Sequence, residues 1–281
     1  MPSAVLKRLP LPLTSVLVLA GFAANSLLCR AALGSGHADA ASFTALRLAS
    51  GVLALALLLR LEQGSWSLPR PRMGRAMALA AYMLGFSFAY RSLSAGSGAL
   101  LLFGAVQVTM LGAARFRGEV FSAAKWTGAA TAFVGLLVLT LPRADRPPLV
   151  AALSMAGAGA ASGIYSLMGR ASAQPLADTL GSFMGAALIA WLAFAIPVIH
   201  HMTGQGLALA VLSGSLASGA AYTLWYAILP RLGAVRAGVI QLAVPLITAG
   251  AGALFLGEIP GPGWFLAAAL TLSGIALASR T

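Results

Sequence analysis

The run LTSVLVLAGFAANSLLCRAAL, residues 13–33, carries a single charge, Arg30, close to its end. About 20 consecutive apolar residues make a helix as long as the roughly 30 Å hydrocarbon core of a bilayer is thick. Runs of the same kind follow at 41–61, 73–90, 96–114 and 121–141. After the break PRADRPP at 142–148 come five more, at 149–169, 176–199, 206–229, 233–256 and 263–278. Strict polar–apolar alternation, the mark of a membrane barrel, is absent, so helix is the only assignment that satisfies the backbone in lipid. The expectation is an all-α integral membrane protein of ten transmembrane helices.

Composition agrees. Of 281 residues, 59% are hydrophobic and 9% charged, and the mean hydropathy is +0.90. A soluble domain carries about 25% charged residues, so this chain cannot cover a water-facing globule. The net charge of +12 is spread singly through short gaps, as the positive-inside rule expects, rather than gathered into a nucleic-acid surface. Cys29 is the only cysteine, which excludes an intrachain disulfide and a cysteine metal site. It lacks the small residue that precedes a lipoprotein cysteine, and the first run has no convincing cleavage site, so it reads as an uncleaved helix.

The chain repeats itself. Ser26-Leu27-Leu28-Cys29-Arg30-Ala31 aligns with Ser166-Leu167-Met168-Gly169-Arg170-Ala171 at an offset of 140. At 139, Thr109, Phe116, Gly118, Glu119 and Gly135 fall on Thr248, Phe255, Gly257, Glu258 and Gly274. The halves are 1–144 and 145–281. Five spans per half is odd, so the second half enters from the opposite side. Loop charges agree: the gap after the second span holds Arg60, Arg70, Arg72 and Arg75, whereas its counterpart holds only His200 and His201. With both termini cytoplasmic, 13 of the 18 Lys and Arg lie inside, four (Arg30, Arg91, Arg143, Arg146) outside, and Arg47 within a span. Two inverted five-helix repeats around a central cavity satisfy both observations.

No carboxylate falls in mid-span. This argues against a carboxylate proton relay and leaves facilitated export of a zwitterion physically sufficient, since a net-neutral solute feels no membrane potential. Glu119 and Glu258 stand where helices 5 and 10 begin; they cap them or handle substrate. Arg47, two turns into helix 2, snorkels, pairs helices or attracts a substrate carboxylate. Asn25, Ser26, Gln107 and Gln241 lie within spans, where an amide or hydroxyl glues helices or faces a wet cavity. Pro245 denies a hydrogen bond to the Gln241 carbonyl and makes a hinge or a packing kink. Tyr82 and Phe86 in helix 3, Tyr165 in helix 6, and Tyr222 and Trp225 in helix 8 form the candidate apolar surround. Tyr90 and Tyr226, near helix ends, read as interfacial-belt residues. Small-residue runs at 156–163 and 250–253 permit close helix contact.

These features resemble the drug/metabolite transporter superfamily in its ten-helix EamA-type form, through Gly118-Glu119, Gly257-Glu258, Leu46-Arg47 and the duplication. Tyr90-Arg91-Ser92-Leu93, the stretch 98–103 and Val106-Gln107-Val108-Thr109-Met110 look more narrowly like the YddG-like aromatic amino acid exporters. The resemblance implies a bacterial inner-membrane exporter of aromatic and other neutral amino acids or related metabolites, working by alternating access around a cavity between the halves. No cofactor or metal is expected. The partners are a small-molecule substrate and membrane lipid, and the oligomeric state is left open. A cationic drug would want an intramembrane carboxylate. A phosphorylated sugar would want clustered Lys or Arg in place of Arg47 alone. A membrane-embedded enzyme would want a clustered catalytic set, and a receptor or scaffold is the remaining class.

Overall fold

In lipid the burial pattern of a helix inverts: hydrocarbon can face outward, and polar groups must turn in. The helix from Ala40 to Gln63 does this. Leu53, Leu57 and Leu61 are 71%, 53% and 69% exposed, while Ser42, Thr44 and Arg47 are buried. The computed structural model describes residues 10–66, 68–116, 118, 122–140, 148–170, 172–193, 201–241 and 243–278. Among these residues the extended regular elements are all helices. The helices are α1 (Leu11–Gly34), α2 (Ala40–Gln63), α3 (Met73–Ala89), α4 (Ala95–Phe116) and α5 (Ala123–Thr140), then α6 (Leu149–Gly169) and α7 (Pro175–Ala193). Next comes α8, which runs as Gly204–Leu212, a π-helical stretch Ser213–Ala220, and Ala221–Gln241; α9 (Ala243–Leu256) and α10 (Pro262–Ala278) follow. Six segments are long and apolar enough to cross a membrane, and α3, α9 and α10 are shorter apolar helices. The chain is a multi-pass membrane protein.

The predicted spans coincide with these helices to within a few residues, with two differences. Residues 194–200, the end of the seventh span, lie outside the described residues. The turn expected near 230–232 is not a gap in the helix: α8 continues to Gln241 with Pro230 inside it. Yet Tyr222 and Gln241 line the same cavity, whereas a straight helix would set them about 28 Å apart. The helical run therefore folds back on itself between them, and Pro230, which cannot donate a backbone hydrogen bond, stands in that interval.

α1 packs on α8 and α9, α6 on α3 and α4, α2 on α7 and α8, α3 on α7, α4 on α9, and α5 on α10. Gly118 and Gly257, the glycines of the repeated Gly-Glu pair, both have positive φ, 89° and 66°. Only glycine takes up that conformation without a Cβ penalty, which is why it ends α4 and α9.

At one end of the bundle the α1–α2 connection is stitched to the entry of α8. Ala38 and Met202 form an antiparallel bridge, and Asp39 N and Thr203 N donate to His201 O and His37 O at 3.1 and 2.9 Å. Asp39 caps α2, accepting from Ala41 N (3.0 Å) and Ser42 N (2.9 Å), and its other oxygen takes the Ser42 hydroxyl and His201 N. Burial pushes this carboxyl up, but the four hydrogen bonds outweigh it and hold it below 3.8. A depressed carboxylate stabilises the fold above its unfolded pKa, and that contribution disappears as pH falls through the folded value. Asp39→Asn is therefore expected to flatten the loss of thermal stability on acidification below pH 3.8, measured on detergent-solubilised protein. Asp39→Ala is expected to cost about 1 kcal/mol at neutral pH, the usual value of an N-cap.

Candidate functional site

Four helices meet through polar side chains at the level of the π-helical stretch. Asn25 on α1 donates from Nδ2 to the Tyr82 hydroxyl on α3 (3.1 Å). Its Oδ1 accepts from the Ser213 (2.8 Å) and Ser218 (3.2 Å) hydroxyls of α8. Arg47 on α2 donates to Ser218 Oγ through Nε (3.2 Å) and Nη2 (3.0 Å), and Nη2 lies 3.4 Å from the Tyr82 hydroxyl. On a regular α-helix, residues 213 and 218 would point about 140° apart. The i→i+5 ladder of a π-helix brings residues five apart onto one face, so both serines reach the same amide oxygen.

Arg47 does not snorkel. It is 0% exposed, and its guanidinium carbon lies 5.0 Å from the Phe86 ring centre and 5.7 Å from that of Tyr82. It stands eight residues into α2, about 12 Å along the axis. There α8 passes so close that a Cβ on Gly214 would collide with the Arg47 carbonyl oxygen. The hydroxyls and ring faces inside outcompete a distant interface. Placing such a charge at mid-membrane costs about 2.5–3.5 kcal/mol on insertion scales, and a desolvated cation–π contact offsets about 2 kcal/mol.

Beside this network lies a small cavity of about 10 Å³, room for about one water. Of the residues expected from the sequence, Asn25, Tyr82, Phe86, Tyr222 and Gln241 line it. The Gln241 Oε1 is buried without a hydrogen-bond partner among the described residues. Ser26, Gln107, Tyr165 and Trp225 are buried but outside the wall. The Tyr165 ring backs Tyr222 at 5.2 Å, and Trp225 backs Phe22 at 5.8 Å. Pro245 is buried in α9, four residues after Gln241, and residue 242 between the two helical runs lies outside the described residues. Sequence reasoning missed Phe22, Leu102, Phe103, Ser162 and Ser166 in the wall and Ser213 and Ser218 behind it. The offset of 140 held the signal, since Phe22 falls on Ser162 as Tyr82 falls on Tyr222.

Tyr90 and Tyr226, expected in interfacial belts, are both 0% exposed. Their hydroxyls donate to Ala95 O (3.3 Å) and Tyr165 O (2.9 Å). Each extends the aromatic stack, Tyr90 against Phe86 at 4.7 Å and Tyr226 against Tyr165 at 5.2 Å. A buried phenol satisfied by a carbonyl has no need of the headgroup region.

Ion pairs close both ends, each joining a helix of the first 144 residues to the later part of the chain. At the end where α1 finishes, Arg30 pairs with Glu258 and donates to Tyr90 O and Arg91 O at 3.2 and 3.3 Å. Glu258 Oε2 accepts from Ala95 N at 2.7 Å. It thus caps α4 from across the bundle, and not its own α10 as the sequence suggested. Glu119 lies outside the described residues. At the other end Arg75 pairs with Asp178 at 2.9 Å and donates to Met168 O at 2.9 Å, covering the C-terminus of α6.

Residues 148–280 match the EamA-like transporter family. The chain is 48% identical over 268 residues to the uncharacterised protein PA1977 of Pseudomonas aeruginosa, covering 94% of this chain and 93% of that one. A solved crystal structure shares the fold with a TM-score of 0.69 at 21% identity, over 94% of this chain and 96% of its own.

Ser218→Ala removes the oxygen that takes two nitrogens of Arg47 and ties them to Asn25. It is expected to lower stability by about 1–3 kcal/mol, the cost of stranding buried polar groups. Ser215→Ala, whose exposed hydroxyl bonds to Val211 O in its own helix, should stay within about 0.5 kcal/mol of the parent. Thermal unfolding in detergent compares the two.

Proposed function

We infer the function from the premise that this chain belongs to the EamA-like transporter family, and so carries small solutes across a membrane. The finer reading is export of aromatic and other neutral amino acids or related metabolites across the bacterial inner membrane, by alternating access, with both termini cytoplasmic. One observation carries it: a small cavity within the bundle, walled by aromatic rings and two amides, to which both halves of the chain contribute.

The helix packing supports two inverted repeats, 1–144 and 145–281. Exchanging α1 with α6, α2 with α7, α3 with α8, α4 with α9 and α5 with α10 turns the α3–α6 contact into α8–α1 and the α4–α6 contact into α9–α1. It leaves α2–α7, α4–α9 and α5–α10 unchanged, and all of these contacts occur. The shared backbone conformation of Gly118 and Gly257 agrees. Rings from Phe22, Tyr82, Phe86 and Tyr222 suit an apolar side chain, and the free Gln241 oxygen suits an ammonium group. Among the described residues no carboxylate lines the cavity, which disfavours a cationic drug, and Arg47 alone behind the wall is too little for a phosphorylated sugar. The ion pairs Arg30–Glu258 and Arg75–Asp178 close opposite ends, so parting one and then the other gives the two openings that alternating access requires.

Counterflow in proteoliposomes with a panel of labelled amino acids, with and without a pH gradient, tests this. Phenylalanine exchange is expected, and its absence across the panel would remove the amino acid reading. Gln241→Leu is expected to lower phenylalanine exchange about tenfold, the value of about 1.4 kcal/mol. Gln107→Leu, outside the wall, should stay within about twofold per folded molecule. Equal losses would take Gln241 out of the path. In a Cys29→Ala background, a cysteine at Arg72 should react with impermeant reagent only from the cytoplasmic side and one at His201 only from the opposite side. Reaction of both from one side would dismantle the inverted architecture.

A further inference from the structure

Resting on that reading of the cavity, we propose that Arg47 sets the substrate class by receiving the carboxylate of the solute. Solutes with a carboxylate then enter the site, and amines or amides of the same shape do not.

Among the described residues no carboxylate pairs with Arg47. The side chain is 0% exposed, and neither ion pair among the described residues includes it: Arg30 takes Glu258 and Arg75 takes Asp178. The acids on either side of it in sequence cannot reach. Asp39 precedes α2 and Glu62 ends it, about 12 and 22 Å away along the axis. Of five guanidinium donors, those on Nε and Nη2 share one hydroxyl, Ser218, with Tyr82 at the edge of reach. Nη1 has no hydrogen-bond partner among the described residues. A planar fork with one arm free is the geometry that takes a carboxylate, two parallel N–H bonds to two oxygens.

Its placement relative to the cavity completes the case. The guanidinium lies against Tyr82 and Phe86, and both rings form the cavity wall. The void is too small for an amino acid, so the rings must part for one to enter, and their parting uncovers Arg47. Gln241 in the same wall offers an unpartnered acceptor. Surplus donors at Arg47 and a spare acceptor at Gln241 match the two ends of a zwitterion: carboxylate to Arg47, ammonium to the Gln241 oxygen and the ring faces. A role confined to fastening α2 to α8 needs neither the free Nη1 nor the free Oε1.

The test compares four aromatic solutes on the full-length wild-type protein in detergent: phenylalanine, phenylalaninamide, phenethylamine and 3-phenylpropionate. Phenylalanine and 3-phenylpropionate are expected to raise the unfolding temperature, and the two compounds without a carboxylate to leave it unmoved at tenfold higher concentration. Stabilisation by the amine or amide equal to that by phenylalanine, or no stabilisation by any of the four, overturns the proposal. Arg47→Gln and Arg47→Lys are then read for selectivity rather than stability. Arg47→Gln should erase the preference for phenylalanine over its amide, and Arg47→Lys should retain part of it. A preserved preference in Arg47→Gln overturns the proposal. Counterflow of the same solutes separates the two claims: a carboxylate-selective shift without any exchange refutes transport and leaves Arg47 as the carboxylate receptor.

Discussion

A polar side chain inside a bilayer finds its partner in the protein, and this condition fixes how α1, α2, α3 and α8 meet. Ser218 concentrates it. A hydroxyl has two lone pairs and one proton; here the lone pairs receive two nitrogens of Arg47 and the proton goes to Asn25 Oδ1. Asn25 relays the link to Tyr82. Individually such bonds are modest, about 0.6 kcal/mol on average between membrane helices. Their force lies in the alternative, because a one-turn slip of α8, about 5.4 Å, strands every member at once. The register of four helices is thereby set at one depth, next to the cavity.

The local geometry that permits this is the π-helical stretch. An α-helical Ser213–Ala220 could present Ser213 or Ser218 to Asn25, but not both. Small residues on either side, Gly214 above all, let α2 and α8 approach until their backbones nearly touch. Packing and hydrogen bonding are here one arrangement, since the missing side chain at Gly214 brings Arg47 within reach of Ser218.

Much of the architecture was legible in the sequence, because lipid-exposed helices have a length and composition that little else imitates. Asn25, Tyr82, Phe86, Tyr222 and Gln241 were legible as wall residues for a related reason: polar and aromatic groups at mid-span need an explanation. The failures share a physical cause. Tyr90 and Tyr226 were assigned by depth along their helices, and depth left Arg47 open between snorkelling, helix pairing and carboxylate attraction, because depth does not say which way a side chain faces. That was decided by partners off the helix itself: Ser218 for Arg47 and Tyr165 for Tyr226, both distant in sequence, and Ala95, five residues on at the start of α4, for Tyr90. Glu258 was read as capping its own helix, and an amide from α4 claimed it instead. The π-helical stretch has no composition of its own, being one more run of Ser, Gly and Ala.

The small cavity and the ion-paired ends are parts of one energy balance. Ligand pockets typically measure about 300–1,000 Å³, so a cavity of about 10 Å³ has no room for an amino acid without a change of conformation. A carrier of the proposed kind needs its two open forms to lie within a few kcal/mol of this one. The end pairs differ in how far water reaches them, with side-chain exposures of 22% and 17% for Arg30 and Glu258 and 7% and 19% for Arg75 and Asp178. Water can take over the charges of the first more readily, whereas parting the second leaves the buried Arg75 to be resolvated at a larger cost. The mid-membrane network has no such substitute at hand. On the proposed transport reading, the Arg30–Glu258 end is the one that parts more readily, and the Asn25–Ser218–Arg47 junction is the part that stays made.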